Sequence, residues 1–144
     1  MTLDQIFNLA SLVAVIGWVC LALAPVARTP LVRTARIVSG VLAVAYLVQL
    51  FATTQPVEGG SFTSLTGIVA LFTIPGNVML GWTHFLAFDL FVGAWEVEDA
   101  GAIGLTHWVV LVALVLTFML GPIGLLTYAL IRTLHLWRTR GRFF

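Results

Sequence analysis

Residues 77–97 read NVMLGWTHFLAFDLFVGAWEV, an apolar stretch broken near its middle by Asp89 and closed by Glu96. At ~1.5 Å per residue it reaches across the ~30 Å hydrocarbon core of a bilayer. An ionisable group held at such depth costs on the order of 3 kcal/mol on insertion scales, which makes it a functional candidate by default. The Asp89 side chain is too short to snorkel to the interface, so it either finds a hydrogen-bond donor or keeps its proton. The stretch therefore predicts a transmembrane helix with a chemical group inside it.

The rest of the chain agrees with that class. Of 144 residues, 60 % are hydrophobic and 9 % charged, against roughly 25 % charged in soluble domains. The polar, charge-rich signature of disorder is missing. Four long apolar segments stand out, at about 5–24, 37–54, 77–97 and 105–132, with a shorter fifth at 62–75. Pro25, Pro30, Pro56 with Gly59-Gly60, Pro75-Gly76 and the Gly101–Gly104 loop punctuate them. Thr2 and Gln5 have capping-box spacing, which starts a helix at once, and no basic n-region suggests a removable presequence. The expectation is a single all-α transmembrane domain over residues 1–144, in a plasma membrane and, without a transit peptide, the inner membrane of a bacterium.

Charge placement orients the segments. All seven basic residues are Arg: Arg28, Arg33 and Arg36 in the first loop, Arg132, Arg138, Arg140 and Arg142 after the last segment. The positive-inside rule places both groups in the cytoplasm. The Gln55–Gly60 loop is then outside, and the last segment, ending inside, starts outside near Gly101, so an even number of crossings must lie between Gly60 and Gly101. Segment 62–75 then crosses despite its ~21 Å reach. The result is a bundle of four long transmembrane helices plus one short membrane segment, amino end out and carboxyl end cytoplasmic.

Several side chains are candidates for chemistry. Trp82, Asp89 and Glu96 recur every seven residues and fall on nearly one stripe of the helix. His84 lies about 140° around the helix and ~7.5 Å along it from Asp89, a poor spacing for a shared metal. The two either flank one pocket or each meet a neighbouring helix. Tyr46, Gln49, Thr73, Thr117 and Tyr128 are available donors to Asp89. Trp82, Phe91, Gly93 and Trp95 on the same helix, with Gly121 and Pro122 in the last segment, are candidate ligand-binding positions; interfacial anchoring or core packing is the competing role of the aromatics.

Glu96, Glu98, Asp99 and His107 form a second cluster at the expected outer mouth, either a cation site or solvated loop charge. Gly121-Pro122-Ile123-Gly124 predicts a kink in the last helix. The Arg138–Arg142 tail suits anionic headgroups. Net charge +1 gives no reason to expect nucleic acid, and the single Cys20 excludes an intramolecular disulfide and cysteine-based zinc. No phosphate loop, nucleophile elbow or HExxH helix occurs. No metal or cofactor is expected beyond a bound carotenoid or lipid; the three His on separate segments show no paired haem spacing.

Three blocks in order make the chain resemble the abscisic-acid-deficient-four-like membrane proteins. Leu65-Thr-Gly-Ile-Val-Ala-Leu-Phe72 matches LSGI-x-x-x-F with Thr66 in place of Ser. Trp82-Thr-His84-Phe-Leu-Ala-Phe-Asp89-Leu-Phe91 matches W-x-H-x-x-x-x-D-x-F, and Gly121-Pro122-Ile123-Gly124 matches a Pro-Ile/Leu-Gly element. Together they cover about Ser61 to Arg132. Plant members are linked to neoxanthin synthesis from violaxanthin. The resemblance thus implies a cofactor-free carotenoid or isoprenoid isomerase, with His84 and Asp89 as its catalytic acid–base pair and a slot of aromatics and glycines for a flat polyene. Two other readings stand beside it. The chain is a non-catalytic carotenoid- or lipid-binding protein, or a small accessory subunit whose partners are other membrane subunits.

Overall fold

Helix α1 (Leu3–Ala22) starts at the expected capping box: the Thr2 amide donates to Gln5 Oε1 (2.9 Å) and the Gln5 amide to Thr2 Oγ1 (3.2 Å). In the computed structural model, which describes residues 1–140, it is followed by α2 (Arg28–Ala52), α3 (Leu65–Leu71), α4 (Pro75–Ala102), α5 (His107–Leu120) and α6 (Pro122–Arg140), with no strand among those residues. Arg142 lies outside the described residues.

Three helices, α1, α2 and α4, are long and apolar enough to cross a membrane. They pack through small residues: Ala10, Ala14, Ala35, Ala87 and Ala94 are all buried, as suits helices that associate by close contact rather than by hydrophobic exclusion. Helices α1 and α4 run parallel. Trp82 Nε1 donates to Ser11 Oγ (3.2 Å), Leu90 packs at Gly17, and Trp18 and Leu21 cover Gly93. Helix α2 runs antiparallel to both. Its Thr53 carbonyl meets Gly76, Gln49 meets Thr83, Ser39 Oγ donates to the Ala87 carbonyl (2.9 Å) and Arg36 pairs with Glu98.

The last apolar run is not one helix. Helix α5 descends along α4, placing Thr117 at Glu96 and Gly121 at Asp89. The chain then reverses, and α6 climbs back along α4: Tyr128 meets Trp95, Arg132 meets Asp99 and His135 meets the Ile103 carbonyl. Gly121 closes the hairpin with φ 44°, a left-handed backbone that a side chain would strain. Pro122 starts α6, where its missing N–H is no loss. A Cβ on Gly124 would run into the Thr117 backbone, so only glycine lets α5 and α6 touch there.

This corrects the expected four long helices, the crossing of 62–75, and the placing of the loop after α4 at the end away from the arginines. Segment 62–75 holds only the seven-residue α3, capped by Ser64 and ended before α4 restarts at Pro75; such a helix is ~10 Å long. The loop after α4 does not lie opposite the arginines. A Cβ on Gly101 would clash with the Arg28 guanidinium, and His107 Nε2 is 3.1 Å from the Ala22 carbonyl. An apolar run need not be one crossing: a helical hairpin satisfies its own backbone along both arms and can enter and leave by the same face. With the reversal at Gly121, Arg28, Arg33 and Arg36 still share one end of the bundle with Arg132 and Arg138.

In a Cys20→Ser background, Val26→Cys and Thr106→Cys will react with an impermeant maleimide from the same side of a sealed vesicle, and Glu58→Cys from the other; labelling of Thr106→Cys from the Glu58 side would restore a fourth crossing. Gly124→Val should cost about 2 kcal/mol or more in an unfolding titration by forcing the hairpin apart, while Gly40→Ala, with open space around it, should cost nothing.

Candidate functional site

The hairpin stops halfway down α4. Asp89 is 14 residues after Pro75 (89 − 75) and 13 before Ala102 (102 − 89), and it stands at the tip beside Gly121. Beyond the tip, the remaining half of α4 has no α5 or α6 against it, and a cleft of about 280 Å³ opens there. Its walls are Trp18 from α1, Trp82, Phe85 and Asp89 from α4, and Phe118, Gly121 and Pro122 from the hairpin. Trp18 meets Phe118 edge-on at 5.4 Å. Those two rings also belong to an apolar groove of about 250 Å³ running between α1 and α5 past Val15, Val19, Leu111 and Val115. Asp89 is half-buried and has no hydrogen-bond partner among the described residues.

None of the donors the sequence offered reaches Asp89. Gln49 accepts from Thr83 (2.9 Å), Thr117 donates to Glu96 (2.9 Å), Tyr128 donates to Asp99 (2.7 Å), and Thr73 bonds the Ala70 carbonyl. Tyr46 packs its ring on His84 at 5.9 Å. His84 also stacks on Phe88 at 4.6 Å and is exposed on the α2 flank of α4, outside the cleft. Of the two arrangements their spacing allows, His84 meets a neighbouring helix while Asp89 lines the cleft; the two side chains share no contact, though they remain within electrostatic reach of one another.

The six candidate ligand-binding positions divide. Trp82, Gly121 and Pro122 line the cleft with Asp89. Phe91 lies under the Arg36 guanidinium, 5.9 Å from the ring centre, in a separate groove with Ser39, Ala43 and Phe88. Gly93 is a seat for Trp18 and Leu21, and Trp95 packs edge-on against Tyr128 at 5.3 Å.

The acidic cluster is built differently from the expected outer mouth: it belongs to the arginine end of the bundle. Helix α4 continues to Ala102, so Glu96 lies inside the protein with 0 % exposure. Its Oε1 accepts from Thr117 and its Oε2 has no partner. Asp99 accepts from Tyr128 and from Arg132 Nε (2.7 Å) and Nη2 (3.2 Å); Glu98 pairs with Arg36. His107 is buried with Nδ1 unpartnered. Among the described residues no three His, Cys, Asp or Glu converge as metal ligands. Glu96 was the residue that sequence reasoning undervalued. The seven-residue stripe with Asp89 carried the signal, but the segment boundary at 97 placed it at a mouth.

A family model described as ABA DEFICIENT 4-like matches residues 5–128, from α1 into α6 and including the whole hairpin tip. No curated protein matches the chain, and no solved structure does.

Thr117→Val keeps the shape and removes the sole donor to a buried carboxyl, so it should cost roughly 1–3 kcal/mol of unfolding free energy. Arg36→Ala breaks a pair with both side chains more than two-fifths exposed and should cost ~1 kcal/mol or less. Chemical unfolding in detergent reads both.

Proposed function

This chain belongs to the ABA4-like family, and from that premise we propose that it is a membrane isomerase for a carotenoid or related isoprenoid, with Asp89 as the acid–base group and the half-depth cleft as its active site. The observation that carries the reading is an unpartnered carboxyl at the head of an aromatic cleft that continues into an apolar groove. A polyene with an oxygenated end group fits that order of surfaces. The end group meets Asp89 between Trp82 and Pro122, and the chain runs past Trp18 and Phe118 along α1 and α5.

The chemistry needs no redox partner. Protonated Asp89 gives its proton to an epoxide oxygen as the ring C–O bond breaks. The resulting carboxylate takes a proton from the adjoining polyene end, and the C–H electron pair forms the new double bond. Product and reactant are isomers, and Asp89 ends as it began. A cleft walled by rings and closed by the hairpin tip keeps bulk water from the cation that develops.

The lipid bilayer is the surrounding partner. With the arginines in the cytoplasm, the chain crosses a plasma membrane three times, in a bacterium the inner membrane, and the hairpin enters from inside. The amino end is outside and the carboxyl end inside. The position of His84 outside the cleft favours a second reading, in which Asp89 only holds a hydroxylated or epoxidised end group.

Incubation of the purified chain in nanodiscs with an epoxy-xanthophyll, followed by chromatography, tests both. Isomerisation should fall roughly 10²-fold or more in Asp89→Asn and stay within about threefold in His84→Ala, since that side chain does not touch the cleft. Binding without turnover, lost in Asp89→Asn, would establish the holding role instead. Neither binding nor turnover in the wild type would remove the proposal.

A further inference from the structure

On its α2 flank, outside the cleft at Asp89, α4 borders a second and longer hollow. At the arginine end, Arg28, Thr29, Arg33 and Arg36 of α2 surround a depression of about 500 Å³, with Glu98 and Gly101 of α4 opposite. Arg28 lies flat on α4, where its guanidinium fills the place a Cβ would take at Gly101. Among the described residues, Arg36 alone of the three arginines is paired with a carboxylate, and that exposed pair is with Glu98. Three guanidinium groups thus share one carboxylate, and positive charge is left over at the depression.

The hollow continues inward as an apolar groove of about 440 Å³, lined by Gly40 and Ala43 of α2 and by Phe88 and Phe91 of α4. A Cβ on Gly40 would meet no atom within 4 Å, so the groove is open there. Arg36 belongs to both parts: it lines the depression and the groove, and stands over the Phe91 ring. On α2, Arg28, Val32, Arg36, Gly40 and Ala43 follow one another at three- or four-residue steps. They form a single stripe that is cationic at one end and bare at the other.

We propose that this stripe binds one anionic phospholipid, with its phosphate among Arg28, Arg33 and Arg36 and an acyl chain in the groove past Gly40, beside Phe88 and Phe91. Guanidinium groups take phosphate oxygens in paired hydrogen bonds, and basic pockets between membrane helices hold acidic headgroups. The continuity of charge with apolar surface selects a lipid over a free phosphate. From Arg36 to Ala43 the groove runs seven residues, ~10.5 Å, within the ~15 Å that is half of the bilayer core. A zwitterionic headgroup brings its own cation against the arginines and fits less well. The bound lipid joins α2 to α4 away from Asp89, and the site stands or falls independently of the isomerase reading.

Native mass spectrometry of the full chain in a non-ionic detergent tests the site, with titration of phosphatidylglycerol and of phosphatidylcholine carrying the same acyl chains. One phosphatidylglycerol should be retained at about tenfold or more lower concentration than phosphatidylcholine. Arg28→Gln and Arg33→Gln should each weaken retention about fivefold. Arg138→Gln removes the same charge from the same end but outside the depression, and should change retention less than about twofold. Gly40→Leu keeps every charge, fills the groove and should weaken retention about threefold or more. Equal affinity for the two lipids overturns the proposal. So does an equal loss in Arg33→Gln and Arg138→Gln, which would show only a general attraction to the charged end. Unchanged retention in folded Gly40→Leu, or displacement of the lipid by glycerol 3-phosphate at the lipid's own concentration, would assign the arginines to a free phosphate ester and overturn the lipid. A dimer mass in place of the lipid adduct would make the groove a contact between two copies and overturn it too. Should an arginine variant fail to fold, Gly40→Leu and the comparison of the two lipids decide.

Discussion

A backbone that turns round among apolar side chains must satisfy its own hydrogen bonds, and that requirement governs this architecture. Helices α5 and α6 do so along their lengths, which leaves only the tip exposed to the problem. There the Gly121 amide donates to the Thr117 carbonyl (2.9 Å) and the Leu125 amide to the Gly121 carbonyl (3.2 Å). Pro122 contributes no amide that needs a partner. The tip rests against α4 about halfway along that helix. Everything proposed for the cleft depends on that seat, because it is the hairpin's shortness that leaves a notch in front of Asp89.

Polar contacts hold the hairpin in register. Thr117 with Glu96, Tyr128 and Arg132 with Asp99, and His135 with the Ile103 carbonyl mark successive levels along α4. Their energies are unequal. Arg132 and Asp99 stand at the rim, where solvent screens them, while Glu96 and Tyr128 have no exposure at all. Removing a partner in the interior strands a polar atom, whereas removing one at the rim returns it to water. The interior pair therefore fixes the depth of the tip more firmly than the ion pair does.

Much of this was legible in the residues. The apolar runs marked α1, α2 and α4, the Thr2–Gln5 box marked the first turn, and Arg28, Arg33, Arg36, Arg132 and Arg138 share one end as their placement in the sequence indicates. Asp89 stood out by depth alone, and Gly121-Pro122 was recognised as an interruption. Its angle was not: the same four residues read as a kink or as a full reversal, and the contacts of α6 with α4 and of Gly124 with Thr117 distinguish them. The 62–75 segment misled because apolar composition records burial preference, not length of helix. Glu96 misled because a carboxylate near a segment boundary looks solvated until α4 is seen to run five residues past Val97 (102 − 97).

The half-depth hairpin also makes the two leaflets unequal neighbours. On the arginine side, α4 is flanked by α1, α2, α5 and α6; on the other, by α1 and α2. A hydrophobic molecule dissolved in that second leaflet can slide sideways to the carboxyl group without passing through water or opening a gate, whereas one in the first meets a wall of helices. On the isomerase reading proposed above, delivery is then a matter of lateral diffusion from a single monolayer, and the orientation of the chain decides which pool of lipid it samples.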